Sequence, residues 1–182
     1  MPGATSDTAI LMELVAERDV RRVLALYCRG IDRCDAELMA SAFWPEAPVD
    51  YGSFQTTGAQ VGEVIAGKRR AAQVTVMMHS LTTALVDIAG DEAFTEAWHL
   101  SLRQVQTPTG IEHRWLGERY LDRFERREGV WKIARRRALH DFDLAQPHMP
   151  AFPPGMFVDG SASPEDLSYT WRAESADQEG AS

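Results

Sequence analysis

The sequence contains little cysteine and lacks the patterns of a secreted, membrane-spanning or disulfide-stabilised protein. Two of its 182 residues are cysteines, Cys28 and Cys34, and they do not form a CxxC pair. We therefore expect both to be reduced thiols near the core. The N-terminus has no basic segment followed by an apolar core, and no apolar run reaches the ~20 residues of a membrane-spanning helix. The sequence predicts a soluble, cytoplasmic protein without membrane contact.

The sequence also lacks the charge of a nucleic-acid-binding protein and the motifs of a nucleotide or metal enzyme. Its formal net charge is −8 at pH 7, which argues against nucleic acid as the main partner. The five histidines lie on different predicted elements without an HxxxH spacing, and no glycine-rich phosphate loop is present. We therefore expect neither a metal ion nor an organic cofactor.

The chain has the size and composition of one globular domain, with 45% hydrophobic and 25% charged residues. Helix-spaced apolar residues over 7–31 predict a long first helix. Asp35 is the expected N-cap of a second helix that Pro45 stops, and residues 59–72 predict a third helix. A short strand is expected within residues 47–54.

From about residue 74 the pattern changes to long strands. Two strands flank the sequence AGDE, and two more flank REGV. Helices followed by a meander of antiparallel strands indicate an α+β fold, with the helices packed on one face of a curved sheet.

The composition of the C-terminal part predicts two segments that differ from the domain before them. Five prolines in eighteen residues after Phe142 predict irregular structure. We expect a domain over residues 1–142 and a proline-rich segment over 143–163 that caps the pocket or contacts a neighbouring subunit, with Met149, Phe152, Met156 and Phe157 packed. Residues 164–182 are expected to form a flexible tail.

A carboxylate in the sequence YCRGIDRCD lies on an apolar helix face. Leu24, Cys28 and Asp32 are spaced by four residues, so they share one side of the first helix. Asp32 must therefore reach water or find a partner. His79, early in the first long strand, shares its face with Leu81, Thr83 and Leu85. A core histidine bonded to a backbone carbonyl is the alternative interpretation of His79.

Arginines alternate along the last predicted strand. The period of two places Arg136 on one face and Ile133, Arg135 and Arg137 on the other. If helices cover one face, at least one arginine should line a cavity or pair with a buried carboxylate. A sheet edge with exposed arginines is the alternative. Side chains of the neighbouring strands are expected to face the same concavity: Ala97 and the polar His99, Ser101 and Tyr120.

Three segments together resemble a known family. YCRGIDRCD ends the first helix, MMHSLTT opens a long strand, and REGVWKIARRR enters the last strand. Their order and separation are similar to the SnoaL-like branch of the NTF2-like superfamily, which includes scytalone dehydratase, hexachlorocyclohexane dehydrochlorinase and bile-acid 7α-dehydratase. The resemblance covers about residues 7–142. It implies an α+β cone in which N-terminal helices pack on a strongly curved, mostly antiparallel sheet around a pocket, and a homo-oligomer, trimer rather than dimer.

The resemblance also assigns site residues. The catalytic positions of the family correspond to Asp32, His79, Tyr27 and Arg136. Substrate-binding positions of the pocket wall correspond to Tyr51, His99, Tyr120 and His140. Several of these wall positions are more apolar in the dehydrochlorinase, which argues against a halogenated substrate and favours one with hydroxyl or carbonyl groups.

These residue types predict a cofactor-independent lyase. A carboxylate bonded to a histidine fixes its tautomer and stabilises the imidazolium form, so His79 would remove a proton. A tyrosine would protonate a leaving hydroxyl, and Arg136 would stabilise negative charge. The expected partner is a small hydrophobic hydroxylated aromatic or cyclic substrate, from which water is eliminated or a carbon–carbon bond is cleaved in retro-aldol fashion. The alternatives are an isomerase or polyketide cyclase with the same dyad, and a non-catalytic ligand-binding or small-subunit module. An open cavity with Tyr27, Asp32, His79 and Arg136 converging would favour the enzyme.

Overall fold

A computed structural model describes residues 6–148, 156, 160, 163 and 165–169. Within these residues three helices pack on a six-stranded sheet. The helices are α1 (Asp7–Arg33), α2 (Ala36–Ser41) and α3 (Val61–Ala71), and a short 3-10 turn spans Leu167–Tyr169. The strands are β1 (Pro48–Asp50), β2 (Gln55–Thr57), β3 (Val74–Ala89), β4 (Glu92–Thr107), β5 (Gly110–Arg127) and β6 (Val130–Pro147). The predicted α+β class, with helices on a mostly antiparallel sheet, is confirmed.

The sheet is a meander with one crossover. Its strand order is β2-β1-β6-β5-β4-β3, and the neighbours are antiparallel except for β1 and β6, which run parallel. Between β5 and β6, Glu128 and Gly129 both adopt positive φ angles, of 50° and 81°. Two consecutive positive φ values match the right-handed twist of a tight hairpin. The adjoining ends of β3 and β4 pair antiparallel, as do those of β5 and β6, so the two predicted hairpins are confirmed.

Capping side chains fix the junction between α1 and α2. The side chain of Ser6 accepts a hydrogen bond from the backbone amide of Ala9 at the start of α1. At its end, Cys34 adopts the left-handed conformation with φ 55°, so the chain turns directly into α2. Asp35 accepts a hydrogen bond from the Leu38 amide at 2.9 Å, which confirms the predicted N-cap.

Only the C-terminal part of α1 packs on the sheet. Its buried residues begin at Ala16 and continue through Val20, Leu24 and Tyr27 to Ile31. The apolar residues of its first turns are exposed instead: Ile10, Leu11, Met12, Leu14 and Val15. None of the described helices is long and apolar enough to cross a membrane. The packed half of α1 brings its last turn against β3.

A β-bulge changes the face predicted for the first long strand. The pairing of β3 with β4 shifts between Leu81 and Thr83, so the alternation reverses there. His79 and Leu81 lie on the inner face, but further along Ala84 packs on the core while Leu85 is 56% exposed. The prediction that Leu85 shares a face with His79 is wrong, because the alternation assumed no bulge.

A second bulge has the same effect in β6. Arg123 pairs with Arg135 while Phe124 pairs with Ile133, which leaves Ala134 unpaired. Ile133 and Arg136 are consequently both buried. The prediction that they point to opposite faces is wrong for this reason.

Strand β6 is longer than predicted. It continues to Pro147, which pairs with Glu112 of β5, so the prediction of irregular structure after Phe142 is wrong for residues 143–147. The proline is tolerated because it ends the strand and because β1 has stopped pairing with β6 at Arg137. A proline at an edge removes no ladder hydrogen bond. The predicted packing of Met149, Phe152 and Phe157 lies outside the described residues, and Met156 is exposed.

Part of the predicted flexible tail is packed on α1. The Arg33 Nε lies 3.0 Å from Asp166 Oδ1, and Asp166 is buried. The hydroxyl of Tyr169 donates to Asp35 at 2.9 Å, and the Arg29 guanidinium lies 4.2 Å from the Tyr169 ring centre. Opposite charge and a cation–π contact therefore anchor residues 165–169, against the prediction of a free tail.

Candidate active site

Asp32 and His79 form a two-point hydrogen bond. Asp32 lies in the last turn of α1, and its Oδ2 accepts the backbone N–H of His79 at 3.0 Å. Its Oδ1 lies 2.7 Å from His79 Nδ1. The His79 side chain is 2% exposed and that of Asp32 14%. Because an ionised carboxylate only accepts, Nδ1 carries the proton and Nε2 has the free electron pair.

A cavity of about 200 Å³ lies between α3 and the inner face of the sheet. It is smaller than the ~300–1,000 Å³ of pockets for drug-sized ligands, so it suits a ligand of one or two rings. Its lining combines apolar and aromatic side chains with His79 and a group of charged residues: Ile31, Tyr51, Phe54, Ile65, Lys68, Arg69, Ala72, Val74, Met77, Arg103, Glu118 and Tyr120. The cavity therefore offers a basic imidazole in mainly apolar surroundings.

Two tyrosines line this cavity, and a third lies behind them. The hydroxyls of Tyr51 and Tyr27 are hydrogen-bonded to each other, but only Tyr51 and Tyr120 reach the cavity wall. Burial raises the pKa of Tyr51, an effect that Arg136 opposes. Burial raises the pKa of Tyr27 and of Tyr120 well above 10. The phenols therefore remain protonated and act as hydrogen-bond donors.

Arg136 is buried behind the tyrosines in an ion pair. Its Nε and Nη2 donate to Asp122 Oδ1 and Oδ2 at 2.8 and 2.6 Å. Its guanidinium centre lies 4.2 Å from the Tyr27 ring and 3.8 Å from the Tyr120 ring. Although burial disfavours the charged form, Asp122 raises the pKa of Arg136 well above its ordinary value. The pairing predicted for one arginine of this strand is present, but Arg136 does not line the cavity.

His99 lies behind the cavity wall. It is 2% exposed, and its ring centre is 5.2 Å from that of His79 and 4.2 Å from that of Tyr120. Neither ring nitrogen has a hydrogen-bond partner among the described residues. Burial, with smaller contributions from His79 and Arg136, lowers the pKa of His99 to about 3. His99 is therefore a neutral imidazole next to two residues of the wall.

His140 lies outside the cavity. Its side chain is 50% exposed, and its Nε2 lies 3.1 Å from Asp143 Oδ1. All residues of β6 from 140 to 147 are exposed, because the strand has passed beyond the helix-covered part of the sheet. The substrate-binding role predicted for His140 has no geometric support. Within the described part of the chain, no three His, Cys, Asp or Glu side chains are grouped as metal ligands.

The two cysteines are both free thiols. Cys28 is buried, and burial raises its pKa to about 12. The thiolate is the nucleophilic form of cysteine, so Cys28 acts as a packing residue of α1.

Sequence reasoning missed five charged residues around the site: Lys68, Arg69, Arg103, Glu118 and Asp122. Strand alternation could have found three of them. Glu118 and Asp122 share the inner face of β5 with Tyr120, and Arg103 shares that of β4 with His99. The two α3 residues had no such signal, because their contact with the cavity depends on how α3 packs.

The fold is similar to those of several solved structures. A hexachlorocyclohexane dehydrochlorinase (LinA) type 2 superposes with a TM-score of 0.70 at 19% identity, over 80% of this chain and 99% of that one. A scytalone dehydratase-like protein from Novosphingobium aromaticivorans superposes with a TM-score of 0.65 at 19% identity, over 80% and 97%. An NTF2-like protein with a cystatin-like fold from the same species gives 0.59 at 22% identity, over 75% and 90%. The TM-scores show a common fold, and at these low identities the likeness shows the fold alone.

The sequence itself identifies the family. No functionally curated protein matches the sequence. The family model of the SnoaL-like domain, however, matches residues 12–137. This range includes most of α1, the whole of α2 and α3, the cavity and both members of the Asp32–His79 pair, and it spans well over half of the chain. The chain therefore belongs to the SnoaL-like domain family.

Proposed function

We propose that this protein is a cofactor-independent lyase that acts on a small hydroxylated aromatic or cyclic compound. The observation that carries the proposal is the Asp32–His79 hydrogen bond, which leaves His79 Nε2 for a ligand in the cavity. Membership of the SnoaL-like family and the likeness of the fold to a dehydrochlorinase and a dehydratase-like protein support this class of reaction.

In an elimination, His79 Nε2 removes a proton from the carbon adjacent to the one that bears the leaving hydroxyl. The electron pair of the broken C–H bond forms the new double bond, and the C–O bond breaks. Tyr51 protonates the departing hydroxyl, which leaves as water. The proton on the imidazolium then returns to Tyr51 by way of solvent. Asp32 stabilises the imidazolium while it exists.

The same groups serve a retro-aldol cleavage. His79 then takes the proton of the substrate hydroxyl, whose oxygen becomes a carbonyl as the adjacent C–C bond breaks. The electron pair of that bond forms an enolate, and Tyr51 donates a hydrogen bond to its oxygen. The imidazolium then gives its proton to the enolate carbon, which restores His79. Tyr27 and Arg136 contribute indirectly, through their contacts with Tyr51, because neither of them lines the cavity. Tyr27 bonds its hydroxyl, and Arg136 opposes the rise of its pKa. Arg136 is thus a positioning residue in this proposal.

The alternative of a non-catalytic module is less well supported. A structural subunit requires no open cavity, and a ligand-binding module requires no carboxylate paired with a buried histidine. Burying such polar groups costs free energy, and here they adjoin an open cavity of about 200 Å³. The combination is expected where a proton is transferred.

The test is a screen of hydroxylated ring compounds for turnover without added cofactor. Turnover is detected by the absorbance of the new conjugated double bond after elimination, or by the carbonyl product after C–C cleavage. Asp32→Asn and His79→Ala should each lower turnover by roughly 10²–10⁴-fold. His140→Ala is the matched control, since His140 lies outside the cavity, and it should be fully active. Turnover that persists unchanged in both dyad variants would overturn the proposal.

A further inference from the structure

The cavity contains charged groups that the proposed proton transfers do not use. Three cations line it, Lys68, Arg69 and Arg103, together with one carboxylate, Glu118. Asp32 adds a second carboxylate through its bond to His79. With His79 neutral, the three cations exceed the two carboxylates by one positive charge. A partly enclosed cavity with one excess positive charge favours an anionic ligand.

Arg69 already has partners in the fold. It is buried, and its Nη1 donates to the backbone carbonyl of Ile31 and, at 3.4 Å, to that of Asp32. These carbonyls belong to the C-terminal end of α1, where a cation is favourable. Arg69 therefore holds the helix end that carries Asp32, and a ligand would meet the other two cations.

Lys68 and Arg103 remain incompletely paired. Lys68 is exposed on α3, its ammonium lies 4.4 Å from the Phe54 ring centre, and no ion pair joins it to a described carboxylate. The Nη2 of Arg103 lies 3.7 Å from Glu118, which is beyond hydrogen-bond distance. The buried Nε of Arg103 has no partner among the described residues. The Arg103 side chain as a whole is 32% exposed, so its terminal Nη donors can meet an acceptor that a ligand supplies.

We infer that the substrate carries a single carboxylate, which Lys68 and Arg103 bind while the ring packs against Tyr51 and Phe54. Arginine offers a planar fork that matches a carboxylate, and lysine adds a mobile charge at the cavity rim. Glu118 disfavours a second negative charge, so a monoanion fits better than a phosphate dianion. This inference rests on the proposed function for turnover, but the binding of the anion is testable without turnover.

The experiment measures binding by calorimetry at low ionic strength with three probes: benzoate, the neutral benzamide and phenyl phosphate. Benzoate should bind most tightly. Lys68→Gln and Arg103→Gln should each weaken benzoate binding roughly tenfold and leave benzamide binding unchanged. The matched controls are Arg70→Gln on α3 and Arg114→Gln on β5, both exposed and outside the cavity lining. They should bind all three probes as the native protein does.

Several results would overturn the inference. They are benzoate binding no tighter than benzamide, cavity variants that match their controls, and phenyl phosphate binding more tightly than benzoate. The lyase proposal and the carboxylate-site proposal can also be tested independently of each other. Hydroxylated benzoates that bind through Lys68 and Arg103 but never react would contradict the lyase and support the carboxylate site. Turnover of neutral hydroxylated rings in preference to their carboxylated analogues would support the lyase and contradict the carboxylate site.

Discussion

Asp32 bonds both the backbone amide and the ring of His79, so one carboxylate fixes the position and the tautomer of the imidazole. The two contacts measure 3.0 and 2.7 Å, and they join the last turn of α1 to β3. An aspartate can accept both hydrogen bonds, whereas its amide analogue offers one acceptor and one donor. Replacing the carboxylate by an amide should therefore change which ring nitrogen of His79 carries the proton, and this can be measured.

Asp32→Asn should reverse that tautomer. If the amide oxygen accepts the backbone N–H of His79, the amide nitrogen faces Nδ1 and can only donate to it. Nδ1 then becomes the acceptor, and Nε2 carries the proton. Nitrogen-15 NMR of the imidazole at neutral pH should show the exchange, with turnover falling by roughly 10²–10⁴-fold. If His79 keeps its proton on Nδ1 in Asp32→Asn, Asp32 does not determine the tautomer of His79.

The two hydrogen-bonded tyrosines should differ in kinetic importance. Tyr51 lines the cavity, whereas Tyr27 lies behind it. Tyr51→Phe removes the group that protonates the leaving hydroxyl and should lower kcat by roughly 10²-fold. Tyr27→Phe removes only the support for that hydroxyl, and its effect should be about tenfold or less. The measurement is kcat of each variant on one substrate, with circular dichroism to confirm folding. A larger loss in Tyr27→Phe would reverse the roles.

Much of the fold follows from periodicity and capping, which act locally. The 3.6-residue pattern of α1, the capping side chain of Asp35 and the turn at Gly129 each concern neighbours in sequence. The predicted faces were correct where alternation ran unbroken, as along Ala97, His99 and Ser101, all of which are buried. Local signals are sufficient when no residue is inserted into a strand.

The errors arise where tertiary pairing decides the outcome. The bulges near Thr82 and at Ala134 reverse strand faces, and an inserted residue has no reliable signature in one sequence. Pairing of Arg136 with a buried carboxylate was expected from charge, but its partner Asp122 depends on strand register. Register and helix packing together decide which charges reach the cavity.

Gly30 allows α1 and α2 to approach closely, and this contact should be measurable. A Cβ atom at Gly30 would lie 2.9 Å from both the backbone nitrogen and the Cγ of Met39. Backbone cannot give way as a flexible side chain can, so Gly30→Ala should lower the free energy of unfolding by about 1–2 kcal/mol despite the better helix propensity of alanine. Urea unfolding measures the change.

The matched control for this variant is Gly67→Ala in α3. There the nearest atom to a new Cβ is the end of the Arg70 side chain, at 4.0 Å. Gly67→Ala should be neutral or raise the free energy of unfolding by up to about 1 kcal/mol. Equal effects at the two positions would show that the approach to Met39 does not constrain the helix.

The outer face of the sheet should mediate self-association. It presents exposed apolar side chains on three adjacent strands: Val76, Met78, Leu85, Phe94, Leu100 and Leu121. Extended apolar patches of this kind mark interaction surfaces. Light scattering should give the mass of three 20.3 kDa chains, and Leu100→Asp should dissociate them. Leu11→Asp, on the exposed start of α1, is the control. Dissociation by the control alone would place the interface on α1.

His99 should make the protein sensitive to acid. Its pKa is about 3 when folded and 6.5 when exposed, because burial disfavours the imidazolium. Between these values the unfolded chain binds more protons, so the free energy of unfolding falls as pH decreases below 6.5, by up to about 1.4 kcal/mol per pH unit. Urea unfolding from pH 7 to pH 4 should show this slope, and His99→Asn should reduce it. His140→Asn, at a half-exposed site, should keep the native slope; a native slope in His99→Asn would instead assign the acid sensitivity to other groups.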